Sequence, residues 1–411
     1  MALLVSAKGG DVLVWRACLD FAATFRQLLL ARLEFCQASQ AEALLMGTEQ
    51  ALDDLLAAND AFCLRSTELI REVSACAEPP RLRKLTAEFF AGLYDHIGIH
   101  RSAPAFYELS TQFLQSLSGS ICRHAHTAVG LPDRPMPQVK LIALGPAGRQ
   151  EFSPFCPLQL LLVHGEAGDA EHEALSQLGS LIHEGFEACG LQVDGSVTPR
   201  NTEWRGSLSE WRQRLVQQLQ QGRVNELVNF FRIADQSTLY HDEGFDVEFN
   251  VLYRSLLKER RPAMAFLVTR VLNLSHGIGI MGGLRLEKKG PYRGRFALRD
   301  TALQPLSAAI CVLALLKSLE TPSTPQRIRE ILWRRELNVD MAERLLQAWH
   351  ALHELRLNSE RDVQPDWSSK AAFYLNVGKR HDRQQNFLRE ALETVGAIQR
   401  HVGQTFSGME E

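Results

Sequence analysis

The stretch Gln138–His164, QVKLIALGPAGRQEFSPFCPLQLLLVH, decides how the rest of the chain is read. VKLIAL and LQLLLV are apolar runs of strand length, bounded by glycine and proline. Between them stand Gly145 and Gly148, then Arg149 and Glu151. Two glycines let the backbone approach a ligand closely, and an arginine beside them offers a bidentate contact to a phosphate. The pattern predicts strand, glycine turn, polar connection, strand. Side chains two apart on a strand share a face. At the start of the second run the two positions so related are Pro157 and Gln159, and no aspartate occurs between Glu151 and Glu166.

At 411 residues the chain is too long for one typical core, so two or three domains are expected. Its formal net charge of -3 gives no global basic field, which argues against nucleic acid as a partner. The opening MALLVSAKGGDVLVW has no basic residues before its short apolar run, unlike a signal peptide. The strongest apolar runs, CVLALL at 311–316 and LQLLLV at 158–163, are far shorter than the roughly 20 residues a membrane span needs, so no membrane association is expected. The eight cysteines (18, 36, 63, 76, 122, 156, 189, 311) are scattered, and are read as reduced, mostly buried thiols of a cytoplasmic protein.

Residues 11–128 read as helical, with apolar residues at three and four spacing in LDFAATFRQLLLARLEF and LTAEFFAGLYDHI. Pro79-Pro80 break the pattern, and Asn59-Asp60 and Ser110 are candidate caps. Leu131–Pro137, LPDRPMP, marks a boundary before the first strand. A helix, EHEALSQLGSLIHEGFEACG, stops at Gly190, and LQVDGSVTP predicts a third strand ending in a turn. From Trp204 the chain reads as helical, except for a basic loop or hairpin, LRLEKKGPYRGRFALRD. LSAAICVLALLKSL is apolar on nearly every face and should be a central helix, with helices near 341–357 and 386–405 packed against it. Trp204 and Trp211 are expected on one helix face. The pairs His96/His100, His124/His126 and His350/His353 lack a third metal ligand and are read as solvated or core-edge histidines. Lys288, Lys289, Arg293 and Arg295 beside Tyr292 are read as a solvated loop, the other reading being a contact to phosphate or an acidic partner.

The glycine turn and its flanks resemble the signature of the GlnD-like nucleotidyltransferases, relatives of the polymerase-beta-type enzymes. There the first strand ends in Gly-Ser-x-Gly-Arg-x-Glu and the second carries Asp-x-Asp. Gly145, Gly148, Arg149 and Glu151 match; Pro146 stands for the serine, and Pro157 and Gln159 for the aspartates. A second stretch also matches: Cys189-Gly190, Gly195, Val197, Asn201, Trp204, Ser207-Leu208 and Trp211. Further on, the stretch from LQPLSAAICVLALL to Thr324, Arg327 and Ile328, then Arg356-Leu357 and NFLREALETVGAIQRHV, resembles the family's C-terminal substrate-binding domain. The likeness spans roughly 106–405. Other departures are Arg232 and Ala234 for an Asp-x-Arg, Arg285-Leu286-Glu287 for Asp-Leu-Lys, and Cys311 for an arginine. The resemblance implies an α+β, mostly helical protein. Its parts would be an N-terminal helical module (1–105), a polymerase-beta-like nucleotidyltransferase domain (106–245) and a C-terminal helical substrate-binding domain (246–411). It also implies protein-PII uridylyltransferase-like transfer of a nucleotidyl group from a nucleoside triphosphate to a protein, with magnesium.

That chemistry needs two divalent ions on hard oxygen ligands. Pro157 has no ligand and Gln159 has one neutral carbonyl. Loss of two carboxylates removes a gross attraction on the order of 10 kcal/mol, offset in part by dehydration. Glu151, Glu166, Asp169 and Asp194 are the candidate substitutes, and none has the i, i+2 spacing. The first expectation is therefore an inactive relative that acts as a regulatory or protein-interaction module in bacterial signalling, with a protein partner. The alternatives are an active transferase with displaced magnesium ligands, and a metal-independent nucleotide sensor built on Gly145, Gly148 and Arg149. Arg149 and Glu151 could equally form a structural ion pair. Pro157 should sit at the start of its strand, and position 159 should face a site that is solvent-filled or closed by neighbouring side chains.

Overall fold

The computed structural model describes residues 57–408, apart from 58, 77, 101, 131–135, 258–260, 280–281 and 380–381. The helix expected over LDFAATFRQLLLARLEF and most of the Leu131–Pro137 boundary lie outside the described residues. The described residues are mostly helical, with a small four-stranded mixed sheet and a two-stranded one, an α+β arrangement. Helical residues 59–75 lead into α1 (Pro79–His100) and α2 (Ala103–Val129). The two prolines open α1, where a missing N–H costs nothing. The expected caps are corrected. Asn59 and Asp60 are themselves helical. The cap of α2 is Ser102, whose side chain accepts from Ala105 N, while Ser110 lies buried inside α2 and donates to the carbonyl of Phe152.

The sheet has the order β3-β2-β1-β4. β1 (Val139–Leu144) and β2 (Gln159–His164) pair antiparallel, with Val139 opposite His164 and Leu144 opposite Gln159. Nearly every residue of both strands is buried, so both faces of the sheet centre are covered, and this is why they read as continuous apolar runs. α3 (Asp169–Ala188) packs on α2, which also lies against β4. The expected strand in LQVDGSVTP is a correction: only Val193 bridges, to Leu158, and the third strand is β3 (Arg205–Ser207), parallel to β2. β4 (Gln236–His241) pairs with the far side of β1 in a region that reads as helical. Trp204 and Trp211 do pack together, with ring centroids 6.4 Å apart, but Trp204 sits on a single turn ahead of β3 and only Trp211 is helical.

α4 (Leu208–Gln221) starts with a reciprocal cap between Ser207 and Glu210. After α5 (Val224–Arg232) and β4 come α6 (Phe249–Leu257) and α7 (Arg261–Leu272). The basic stretch that follows is a hairpin: Glu287 N donates to Arg295 O, and Leu286 bridges Phe296. Its second arm, β5 (Phe296–Ala297), pairs with β6 (Tyr374–Leu375). A wider-wound turn, Arg299–Leu303, feeds α8 (Gln304–Leu316). α9 (Thr324–Trp333), α10 (Val339–Arg361) and α11 (Asp382–Ser407) complete the bundle. α8 is the buried helix expected, and α11 packs on it; α10 instead lies mainly on α11, α9 and α1. Among the described residues, one run, Arg299–Leu316, is long and apolar enough to cross a membrane, and it is largely buried inside this bundle.

Candidate functional site

Gly145 and Gly148 form one helical turn at the end of β1. Gly145 holds φ +61, and its N–H donates to Asp235 O at 3.1 Å. A Cβ on Gly148 would stand 2.1 Å from that same carbonyl. The glycines thus admit the backbone that enters β4. This contact puts Asp235 beside Arg149.

Arg149 is held between two carboxylates. Its Nε donates to Glu151 Oε2 at 2.8 Å and its Nη1 to Asp235 Oδ2 at 2.7 Å. Glu151 is 1% exposed, and three groups from α9 and α10 close over it. Thr324 Oγ1 donates to its Oε1 at 2.5 Å and Trp349 Nε1 to the same oxygen at 2.9 Å, while His353 Nε2 lies 3.9 Å away. Burial would raise the Glu151 carboxyl, but Arg149, His353 and these hydrogen bonds outweigh it and hold it down at about 2. Asp235 also accepts from Arg327 Nη1 at 2.6 Å, and Arg327 continues to the carbonyls of Thr321 and Ala234. Burial pushes Asp235 up and its two arginines bring it below the usual carboxylate range.

A second arginine layer lies behind. Arg356 donates to Glu360 Oε1, to the carbonyl of Glu151 and to Ser153 Oγ at 2.7, 3.3 and 2.6 Å. Its Nη2 is 3.1 Å from Cys156 Sγ, whose thiol burial raises. Glu360 also accepts from Tyr94 on α1 at 2.8 Å. The network therefore ties α1, the connection after the glycine turn, the entry to β4, α9 and α10 together. Trp349, His353, Arg356 and Glu360 share one face of α10 by their four-three-four spacing.

The sequence candidates divide cleanly. Gly145, Gly148, Arg149 and Glu151 converge, and Arg149–Glu151 form the structural ion pair considered above. Pro157 is exposed and precedes β2. Gln159 faces the cleft, and its Nε2 donates to Asp194 Oδ2 at 2.9 Å. Of the other carboxylates, Glu166 accepts from Ser209 and Asp169 opens α3. Asp235 stands just after Arg232 and Ala234, where the family resemblance places its Asp-x-Arg, and no local pattern marks it, Trp349 or Glu360. The reading of His350/His353 is corrected: His350 is exposed, but His353 is fully buried, and burial lowers it to about 3. Its polar face on α10, in a helix that should bury only apolar residues there, was the available signal. His96 stacks on Phe62 at 3.9 Å.

The donors present do not suit a magnesium pair. Glu151 and Asp235 are each already neutralised by guanidinium groups, and Gln159 is neutral. Among the described residues no three His, Cys, Asp or Glu side chains converge as a ligand set.

Residues 89–225 match the family model described as "Putative nucleotidyltransferase DUF294", and residues 261–406 match "Putative nucleotidyltransferase substrate binding domain". The chain carries the two domains that these models describe. No curated protein matches it. Glu151 belongs to the first matched stretch and Thr324, Arg327, Trp349 and Arg356 to the second, so the network joins the two; Asp235 lies between them.

Proposed function

We propose that this chain is a nucleotidyltransferase-type protein that does not transfer nucleotides and acts as a regulatory or protein-interaction module in bacterial signalling. The observation that carries the reading is the lack of a carboxylate at positions 157 and 159: Pro157 is exposed ahead of β2, and Gln159, which faces the cleft, is neutral. In a metal-dependent transferase, carboxylates beside the glycine turn stay open to cations. Here Glu151 and Asp235 are compensated by Arg149 and Arg327, and the pairs fasten the substrate-binding domain to the turn. The reading treats the sheet domain as polymerase-beta-like, with units near 1–105, 106–245 and 246–411. The partner is a protein, docked on the C-terminal helices.

The test is transfer of label from radiolabelled nucleoside triphosphates, with magnesium or manganese, to the chain itself and to proteins of a cell extract. No incorporation above a Glu151→Gln control is expected. Metal-dependent labelling that vanishes in that variant would show recruited ligands and overturn the proposal in favour of an active transferase.

A further inference from the structure

The network leaves one buried polar atom without a partner, and it borders a cavity. His353 is 1% exposed, its Nδ1 lies 2.7 Å from the Tyr107 hydroxyl, and its Nε2 makes no hydrogen bond. The Tyr107 hydroxyl has no other hydrogen-bond partner among the described residues. Its proton is used only if it donates to Nδ1, which places the imidazole proton on Nε2. The nearest carboxylate oxygen, Glu151 Oε1 at 3.9 Å, is beyond hydrogen-bond reach, and a buried N–H left so is costly and uncommon. His353 forms part of the wall of a cavity of about 350 Å³ between the glycine turn, α10 and the turn that leads into α8.

The rest of the wall carries three arginines, each paired with a carboxylate: Arg149 with Glu151 and Asp235, Arg299 with Asp300, and Arg356 with Glu360. Ser307 and Gln304 line it with them. Arg149 spends Nε and Nη1 on Glu151 and Asp235. Ser307 is buried, and its hydroxyl makes no hydrogen bond among the described residues. The two carboxylates on the wall, Glu151 and Asp235, are already compensated by arginines. Leu303 and Phe373 add an apolar side. The volume falls in the range of small-ligand sites.

We propose that this cavity binds a small organic oxyanion, a carboxylate or a phosphate monoester, without a metal ion. The anion accepts from His353 Nε2 and the free Arg149 nitrogen, with Arg299 at the exposed rim and Ser307 opposite. The proposal rests on the reading that no divalent ion occupies the cleft, since a bound cation would take the anion's contacts.

Calorimetric titration of the full chain in EDTA, with inorganic phosphate and with succinate, tests it. Saturable one-site binding of at least one probe is expected. Arg299→Ala and Ser307→Ala should each weaken it by about tenfold, the loss of one hydrogen bond to a charged group. Arg334→Ala, which removes contacts to Lys317 O and Glu330 outside the cavity, should leave it unchanged. Arg299 is half-exposed, and an unchanged thermal midpoint of its variant separates lost binding from lost fold. Binding of phosphate alone points to a phosphate ester, and of succinate alone to a carboxylate. Absence of saturable binding by both probes, or binding equal in both cavity variants, overturns the proposal. Absence of binding together with absence of label transfer would remove this inference and leave the non-transferring reading intact. Label transfer would remove that reading whatever the titration shows.

Discussion

Glu151 is the residue on which the site turns. It is buried, ionised and held by groups from three separate segments. Its carboxyl is depressed from the ordinary 4.5 to about 2, so its contribution to stability is fully present above about 4.5 and is lost as pH falls toward 2. That contribution is on the order of 3 kcal/mol at neutral pH. Denaturant titrations from pH 7 to pH 3 should show stability falling below pH 5. Glu151→Gln should be destabilised at pH 7 and should lose its own part of that fall, the part due to Asp235 remaining. A variant that keeps the full pH dependence would assign the effect to other carboxylates. Gly148 makes a complementary case. A methyl there would strike the Asp235 carbonyl, so Gly148→Ala should cost about 1–3 kcal/mol and displace Asp235 from Arg149, read as a lowered urea midpoint.

The elements differ in how openly the sequence announces them. β1 and β2 are legible because both faces are buried, and α8 because it is apolar all round. β3 is only Arg-Gly-Ser, and its strand geometry comes from pairing with β2 at Leu162–His164. β4, QSTLYH, is half-exposed at the sheet edge and carries no apolar run. Its conformation is decided by β1, which offers a free row of backbone groups. Trp211 links α4 to this sheet: it is 1% exposed and its Nε1 donates to Leu162 O at 3.2 Å. Trp211→Ala should cost about 3–5 kcal/mol by equilibrium unfolding, and Trp211→Phe clearly less. Equal losses in the two would place the effect in the hydrogen bond and not in the packing.

For the molecule as a whole, the arginine–carboxylate network makes the sheet and the helical bundle one mechanical unit. Arg327 is 1% exposed and is the link from α9 to Asp235. Breaking a buried pair by removing one partner costs about 3–5 kcal/mol, because the other charge stays buried. Arg327→Ala should therefore lower the melting temperature strongly and, in calorimetry, separate a single transition into two. Arg327→Ala combined with Asp235→Asn should recover part of the loss, since neither charge is then stranded. A single transition with an unchanged midpoint in Arg327→Ala would show that apolar packing alone joins the halves.

The buried strands, the glycine turn, the lack of any aspartate between Glu151 and Glu166 and the apolar core helix could all be read before any coordinates, because each is a local pattern of size, polarity or backbone freedom. Thr324, Arg327 and Arg356 could be read as family motif positions, but not as neighbours of Glu151 and Asp235. That adjacency spans 92 residues for Asp235–Arg327 and 173 for Glu151–Thr324. No local periodicity reports a contact across such distances. Whether a carboxylate is a metal ligand or half of an ion pair depends on which cation reaches it, and here the tertiary fold brings α9 and α10 over the turn and delivers the guanidinium groups.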